Sequence, residues 1–146
     1  MADKITIRDL LTYRFPGNLQ YSPDGKTLAF QVSRCDEKEN RYKTDVWLSE
    51  NGVSRQLTAS LDASIVLWKD NTHLLLSRNT GDTRPGTTDL YLMDIRGGAA
   101  MPYVTPPFGL GGMREAGKGL YIASARIDAE DPDAYKDTEA DRKSVV

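Results

Sequence analysis

The chain has 146 residues, of which 19 are basic and 21 acidic, and its net charge is −2 at pH 7. This balance gives no clustered positive surface for nucleic acid or an anionic membrane. The one cysteine, Cys35, excludes an intrachain disulfide, and together with one histidine it is too little for a structural zinc site. Neither a signal peptide nor a long apolar run is present, so the sequence predicts a cytoplasmic protein. It also predicts no cofactor.

A short helix is predicted near the N-terminus. The run TIRD that begins at Thr6 resembles a capping box, and apolar residues follow at helical spacing. Pro16-Gly17 favours an end to the helix, since proline cannot continue one. We therefore expect a helix over Thr6–Arg14. Because so short a helix is marginal in water, its apolar face should pack against another surface.

The next forty residues read as four short strands separated by turn signals. The PDGK run that begins at Pro23 favours a tight turn, and Asn51-Gly52 is a strong hairpin signal. A polar loop is expected over 34–43. The predicted strands are Leu19–Ser22, Thr27–Ser33, Thr44–Ser49 and Ser54–Thr58. Four antiparallel strands of this length make one β-propeller blade.

The same pattern recurs along the chain. The run DVWL at Asp45 returns as DLYL at Asp89, and Leu28, Leu74 and Leu120 are spaced 46 residues apart each time. The second copy has a polar loop over 79–87. It also has a leucine run, Leu74–Leu76, which is expected of a strand in a blade that is buried on both faces. Its predicted strands are Ile65–Trp68, His73–Ser77, Thr88–Asp94 and Tyr103–Thr105; the third copy has Phe108–Arg114 and Gly119–Ala125.

The repeat predicts an all-β fold built from propeller blades. We divide the chain into an N-terminal helical segment (1–17), blade 1 (18–61), blade 2 (62–107) and a partial blade 3 with an acidic loop (108–146). A closed propeller needs at least four blades, about 160 to 200 residues at this spacing. About two and a half blades are present, which predicts an incomplete propeller. Its uncovered faces and strand edges favour self-association or low stability.

The repeat resembles the blades of the prolyl oligopeptidase family of serine peptidases. The resemblance rests on the runs SPDGK followed by LAF, DVWL, and RQLT, which begin at Ser22, Leu28, Asp45 and Arg55. The start, IRDLL at Ile7 and LQYSPDG further on, is similar to the acylaminoacyl-peptidase-like branch, and so is Asn40-Arg41 before the DVWL run. Periplasmic propellers of the Tol system carry closely similar repeats, although the predicted cytoplasmic location argues against them.

The resemblance implies an N-terminal propeller that gates peptide access to a C-terminal α/β-hydrolase domain with a Ser-Asp-His triad. That domain is absent from these 146 residues, so the expected partners are the hydrolase domain of the same parent chain and a peptide in the channel. The channel-lining strands would be Leu19–Ser22, Ile65–Trp68 and Phe108–Arg114, with Arg114 able to face a peptide carboxylate or simply to be a surface charge. The alternative is a non-enzymatic Tol-like propeller that serves as a protein-interaction module.

The sequence predicts no catalytic, cofactor-binding or metal-binding residue in this chain. No serine stands in a G-x-S-x-G turn, and His73 has no nucleophile and acid beside it in the pattern of a triad. The glycines of Gly109–Gly112 favour a bend or a close backbone approach rather than a phosphate loop. The acidic tail, Arg126–Lys143, lacks the glycine of a calcium loop. Asp45 and Asp89 open equivalent strands and are expected to accept backbone N–H bonds.

Overall fold

The computed structural model describes residues 4–78, 88–106 and 109–126, and within these ranges the fold is all-β. The strands form two four-stranded antiparallel meanders, β1-β2-β3-β4 and β5-β6-β7-β8, and a two-stranded sheet, β9-β10. This confirms the predicted propeller-like blades, although the sheets are open. The elements are α1 (Ile7–Leu10), β1 (Arg14–Tyr21), β2 (Thr27–Asp36), β3 (Arg41–Glu50), β4 (Val53–Gln56), β5 (Ser64–Trp68), β6 (His73–Arg78), β7 (Asp89–Asp94), β8 (Met101–Val104), β9 (Gly109–Gly117) and β10 (Leu120–Arg126).

The chain divides into two compact units between Ile65 and Val66. The predicted loop over 79–87, Phe108 and the acidic tail beyond Arg126 lie outside the described residues. No helix among the described residues is long and apolar enough to cross a membrane.

The N-terminal helix begins as predicted but is much shorter. The Thr6 hydroxyl accepts a hydrogen bond from the backbone N–H of Asp9, and the Asp9 carboxylate accepts one from the backbone N–H of Thr6 at 2.6 Å, which completes the capping box. The predicted end at Arg14 is wrong, because β1 already begins there. Pro16 disfavours helical backbone at Phe15 and is tolerated on an edge strand such as β1. No residue of α1 is buried, so its apolar side chains face outward.

The predicted loop over 34–43 is also wrong, because β2 and β3 extend through it as one long hairpin. Its charged residues pair with one another across the strand ends: the Lys43 ammonium lies 2.9 Å from Asp36 and 2.8 Å from Glu39. These hydrogen bonds lower the pKa of both carboxyl groups. Asn40 adopts a left-handed conformation in the turn, φ 48°. Polar composition alone suggested a loop, but cross-strand ion pairs let such residues occupy a solvated hairpin.

The two short turns of the first sheet form as predicted. Gly25 has φ 71°, and its N–H donates to the Ser22 carbonyl at 2.8 Å. Asn51 and Gly52 have φ values of 50° and 77°, which is the double left-handed turn that matches the twist of a hairpin. These turns fix the register in which Leu28 faces Ser49.

The core of the first unit lies on one face of its sheet. Ala29, Val46 and Leu48 are completely buried, and they occupy one face because Leu48 stands opposite Ala29 in the β2–β3 pair. A bulge in β1 interrupts the register between Gly17 and Gln20. The opposite face of the sheet carries a different set of side chains, which forms the candidate site below.

The core of the second unit surrounds the leucine run of β6. Leu74, Leu75 and Leu76 are all nearly inaccessible, in agreement with the prediction of a strand buried on both faces. On one face Leu75 packs with Leu67 and Leu90. Partly buried side chains from several strands cover this cluster: Val66, Leu92, Val104, Leu110, Met113 and Tyr121.

Candidate functional site

A depression in the first unit lies on the face of its sheet away from the buried core. It has a volume of about 200 Å³ and draws side chains from all four strands. We call it the arginine pocket. Its lining residues are Arg14, Val32, Arg34, Asp45, Trp47, Gln56, Ala59 and Ser60.

Strand register brings the two arginines of the pocket together. Arg14 of β1 stands directly opposite Arg34 of β2, and Arg34 in turn stands opposite Lys43 of β3. Residues opposite one another in an antiparallel pair project from the same face, so three cationic side chains form a row across the sheet. Lys43 is neutralised by Asp36 and Glu39, but Arg14 and Arg34 face the pocket.

Asp45 provides the carboxylate of the arginine pocket. It is buried, and its Oδ2 lies 3.6 Å from the Nε of Arg34. Its Oδ1 accepts a hydrogen bond from the backbone N–H of Ser60 at 3.1 Å, the kind of backbone contact that the sequence predicted for this position. Asp89, its counterpart in the second sheet, accepts a hydrogen bond from the Thr105 hydroxyl at 2.7 Å.

Apolar side chains form the other end of this face. Trp47 is half-buried and stacks on Phe30, with 6.5 Å between ring centroids and 28° between ring planes. Phe30 and Trp47 face each other directly in the β2–β3 pair. The pocket therefore combines two guanidinium groups with an indole surface, a combination suited to an anionic group attached to an apolar body.

His73 lies in a charged cluster at the turn end of β6. Its Nδ1 is 3.0 Å from the Asp70 carboxylate, and its Nε2 is 3.8 Å from Asp94. Arg96 binds Asp94 through Nε at 2.9 Å and through a terminal nitrogen at 2.6 Å, which lowers the Asp94 pKa well below its ordinary value. The contacts of His73 with Asp70 and Asp94 connect the turn before β6 to the end of β7.

The first sheet has the same arrangement as this cluster, with different residues. Thr27 faces Glu50 and donates its hydroxyl hydrogen to it at 2.8 Å, just as His73 faces Asp94. Asp24 also accepts from the backbone N–H two residues later, as Asp70 does.

Within the described residues no three His, Cys, Asp or Glu side chains are grouped so that they could hold a metal ion.

Of the strands predicted to line a channel, 19–21 lie in β1, 65–68 in β5 and 109–114 in β9. Arg114 is exposed on β9 and lines a shallow depression of about 370 Å³ between β9 and β10. Gly111 and Gly112 also lie in β9, and a Cβ on Gly111 would come within 2.8 Å of the Ser124 hydroxyl. The close neighbour is a side-chain hydroxyl, whereas the Ser124 backbone oxygen is 3.8 Å away, so the predicted close approach of backbone stays a prediction.

The arginine pocket was not predicted from the sequence. Arg14 was assigned to the helix and Arg34 to a polar loop, so neither had a strand partner. One signal was available in the sequence. Val32, Arg34 and Asp36 stand at every second position, which indicates that one face of β2 continues beyond Ser33.

Comparison with known proteins gives a likeness of fold. The chain superposes on the isopeptidase AtxE2, in its apo form, with a TM-score of 0.53 and 17% sequence identity. The alignment covers 74% of this chain but only 20% of the isopeptidase. No protein-family model matches the chain, and neither does any curated protein. The chain thus shares a fold with part of a peptidase.

Proposed function

We propose that this chain is the propeller region of a serine peptidase of the prolyl oligopeptidase type, similar to acylaminoacyl-peptidases or dipeptidyl-peptidases. Residues 18–61 and 62–107 would be its first two blades, and 108–146 part of a third. The blades would restrict access of peptides to a C-terminal α/β-hydrolase domain in the same parent protein, in the cytoplasm.

The repeated blade carries this proposal. Two four-stranded meanders share an aspartate turn and a polar pair at the same place, Thr27 with Glu50 and His73 with Asp94. Such repetition is the signature of radially arranged blades, which enclose a central channel when the ring is complete. The resemblance of the repeat to prolyl oligopeptidase blades and the fold shared with an isopeptidase support a peptidase rather than another propeller protein.

The proposed mechanism of the propeller is steric. A narrow channel admits extended peptides and excludes folded proteins, while hydrolysis takes place in the other domain. No group of this chain would attack the peptide bond. The contribution of the blades would be to position strands around the opening, and the inner strands β1, β5 and β9 would line it.

A fluorophosphonate probe tests this function. The natural protein is captured from the producing organism with an antibody raised against this chain and is then treated with the probe, whose phosphorus is attacked by an activated serine as fluoride leaves. We expect covalent labelling of the polypeptide that carries the blades. Heat-denatured protein and the 146-residue chain alone serve as controls and should not react.

Absence of labelling in folded natural protein would overturn the peptidase proposal. The non-enzymatic interaction module, similar to the Tol propellers, would then account for the fold. Labelling of the isolated chain would also contradict the proposal, because it would place an activated serine within these 146 residues.

A further inference from the structure

The arginine pocket has more positive charge than its own residues neutralise. Arg14 and Arg34 stand directly opposite each other, and like charges in this arrangement destabilise an antiparallel pair. Each of the two guanidinium groups carries a positive charge. The pocket therefore holds two fixed positive charges and one carboxylate, that of Asp45.

Asp45 does not satisfy both guanidinium groups. Its contact with Arg34 is 3.6 Å long, beyond hydrogen-bonding distance, and its other oxygen already accepts from Ser60. Among the described residues the side chain of Arg14 makes neither a hydrogen bond nor an ion pair, and the side chain of Arg34 has only this contact with Asp45. Donor groups of both arginines are thus available to an incoming anion.

The surroundings narrow the class of anion. The two arginines and Asp45 together leave one positive charge, which a singly charged ligand neutralises and a doubly charged phosphate would exceed. Val32 and the half-buried indole of Trp47 supply the apolar part of the pocket lining. Gln56, which pairs with Trp47 across β3 and β4, supplies a polar part. A volume of about 200 Å³ has room for a carboxylate together with a small apolar body.

We infer that the arginine pocket binds a monocarboxylate attached to an apolar or aromatic group. Arg14 and Arg34 hold the carboxylate, which separates their charges from each other. Trp47 and Val32 contact the apolar body. Asp45 orients Arg34 and limits the affinity, because its own charge repels the ligand. This inference does not depend on the proposed peptidase function.

Binding of N-benzoylglycine to the 146-residue chain tests the inference. Calorimetry measures the affinity, and quenching of tryptophan fluorescence in a Trp68→Phe background locates the ligand beside Trp47. We expect saturable binding of N-benzoylglycine and little binding of its neutral amide. Arg14→Gln and Arg34→Gln should each weaken binding about tenfold or more, since each removes a charge-assisted hydrogen bond.

Two further variants separate binding from general effects on the fold. Asp45→Asn keeps an oxygen for the Ser60 N–H but removes the repelling charge, so it should tighten binding. Arg55→Gln removes a positive charge next to Gln56 on β4, on the other face of the strand, and should leave the affinity unchanged. Circular dichroism establishes that each variant is folded.

Three outcomes would overturn the inference. The amide could bind as well as the acid, inorganic phosphate could bind as tightly as N-benzoylglycine, or folded Arg34→Gln could bind with wild-type affinity. Equal binding of the amide would show that the carboxylate charge plays no part. Equal binding of phosphate would remove the preference for a monocarboxylate, and wild-type affinity in Arg34→Gln would show that the ligand binds outside the pocket.

Discussion

The hydroxyl oxygen of Thr58 accepts a hydrogen bond from the backbone N–H of Val46 at 2.9 Å, although β4 has already ended at Gln56. Both residues are buried. The Val46 carbonyl in turn accepts from the backbone N–H groups of Leu57 and Thr58 at 2.8 and 3.1 Å, so the side chain and the backbone of this segment both extend the pairing of β3 beyond β4. Val46 follows Asp45 in β3, so this contact lies next to a residue of the arginine pocket.

Replacing Thr58 by valine should destabilise the fold. The change keeps the volume of the side chain but leaves the buried N–H of Val46 without its acceptor, which costs about 1–3 kcal/mol in free energy of unfolding. Urea unfolding followed by circular dichroism measures it. Thr58→Ser is the matched control, since it retains the hydroxyl, and it should lose clearly less. Equal losses in both variants would show that packing, not the hydrogen bond, is responsible.

Gly52→Ala should also lower stability. Gly52 has φ 77°, where a Cβ costs about 1–2 kcal/mol, and no atom lies within 4 Å of the position that the Cβ would take. The loss would therefore come from backbone conformation alone. Gly17→Ala is the control, because that Cβ also meets open space without a left-handed backbone. The same urea titration should find Gly17→Ala close to wild type; a similar loss at both sites would contradict this account of the turn.

The pair of Asp94 and Arg96 predicts a specific pH dependence. The hydrogen bonds from Arg96 keep the pKa of Asp94 below its ordinary value of 3.8, so the stabilisation is present above that pH and is lost as the pH falls through the pKa of the folded protein. A carboxyl-carbon NMR titration measures this pKa. Arg96→Gln should raise it towards 3.8, whereas Lys38→Gln, in the turn after β2, should not. An unchanged pKa in Arg96→Gln would contradict the assignment.

We expect the 146-residue chain to self-associate through exposed strand edges. β4 is an edge strand whose residues are all exposed, and Val53 on it is 71% exposed. A lysine on such an edge opposes further pairing, so Val53→Lys should increase the monomer fraction in sedimentation velocity. Ile7→Lys removes a similarly exposed apolar side chain from α1 and should change association less. A monomeric wild-type chain with a cooperative melt at high temperature would rule out this expectation.

Sequence patterns predicted most of the fold because they are local. Asn51-Gly52 requires a hairpin, and the leucine run at Leu75 requires burial on two faces. The errors occur where a long-range partner decides the outcome. The segment around Arg14 looked helical until pairing with Arg34 made it a strand, and the charged residues near Lys43 looked like a loop until they paired across a hairpin.

The candidate site was not predictable for the same reason. The arginine pocket forms only when its strands pair in the observed register. That pairing brings together Arg14, Arg34 and Gln56, which are far apart in the sequence and belong to no common motif. Asp45 was recognised as a backbone acceptor, and its contact with Ser60 agrees with that prediction. Its proximity to Arg34 follows only once β2 is known to extend beyond Ser33.

The mass of the intact polypeptide, as the producing organism makes it, tests the central proposal most directly. Mass spectrometry of the antibody-captured protein, with peptide sequencing of its C-terminal part, gives both length and motifs. The proposal predicts a polypeptide several times heavier than 16.2 kDa that contains a G-x-S-x-G motif followed by Asp and His. A polypeptide that ends at Val146 would leave no room for the hydrolase domain and would contradict the proposal.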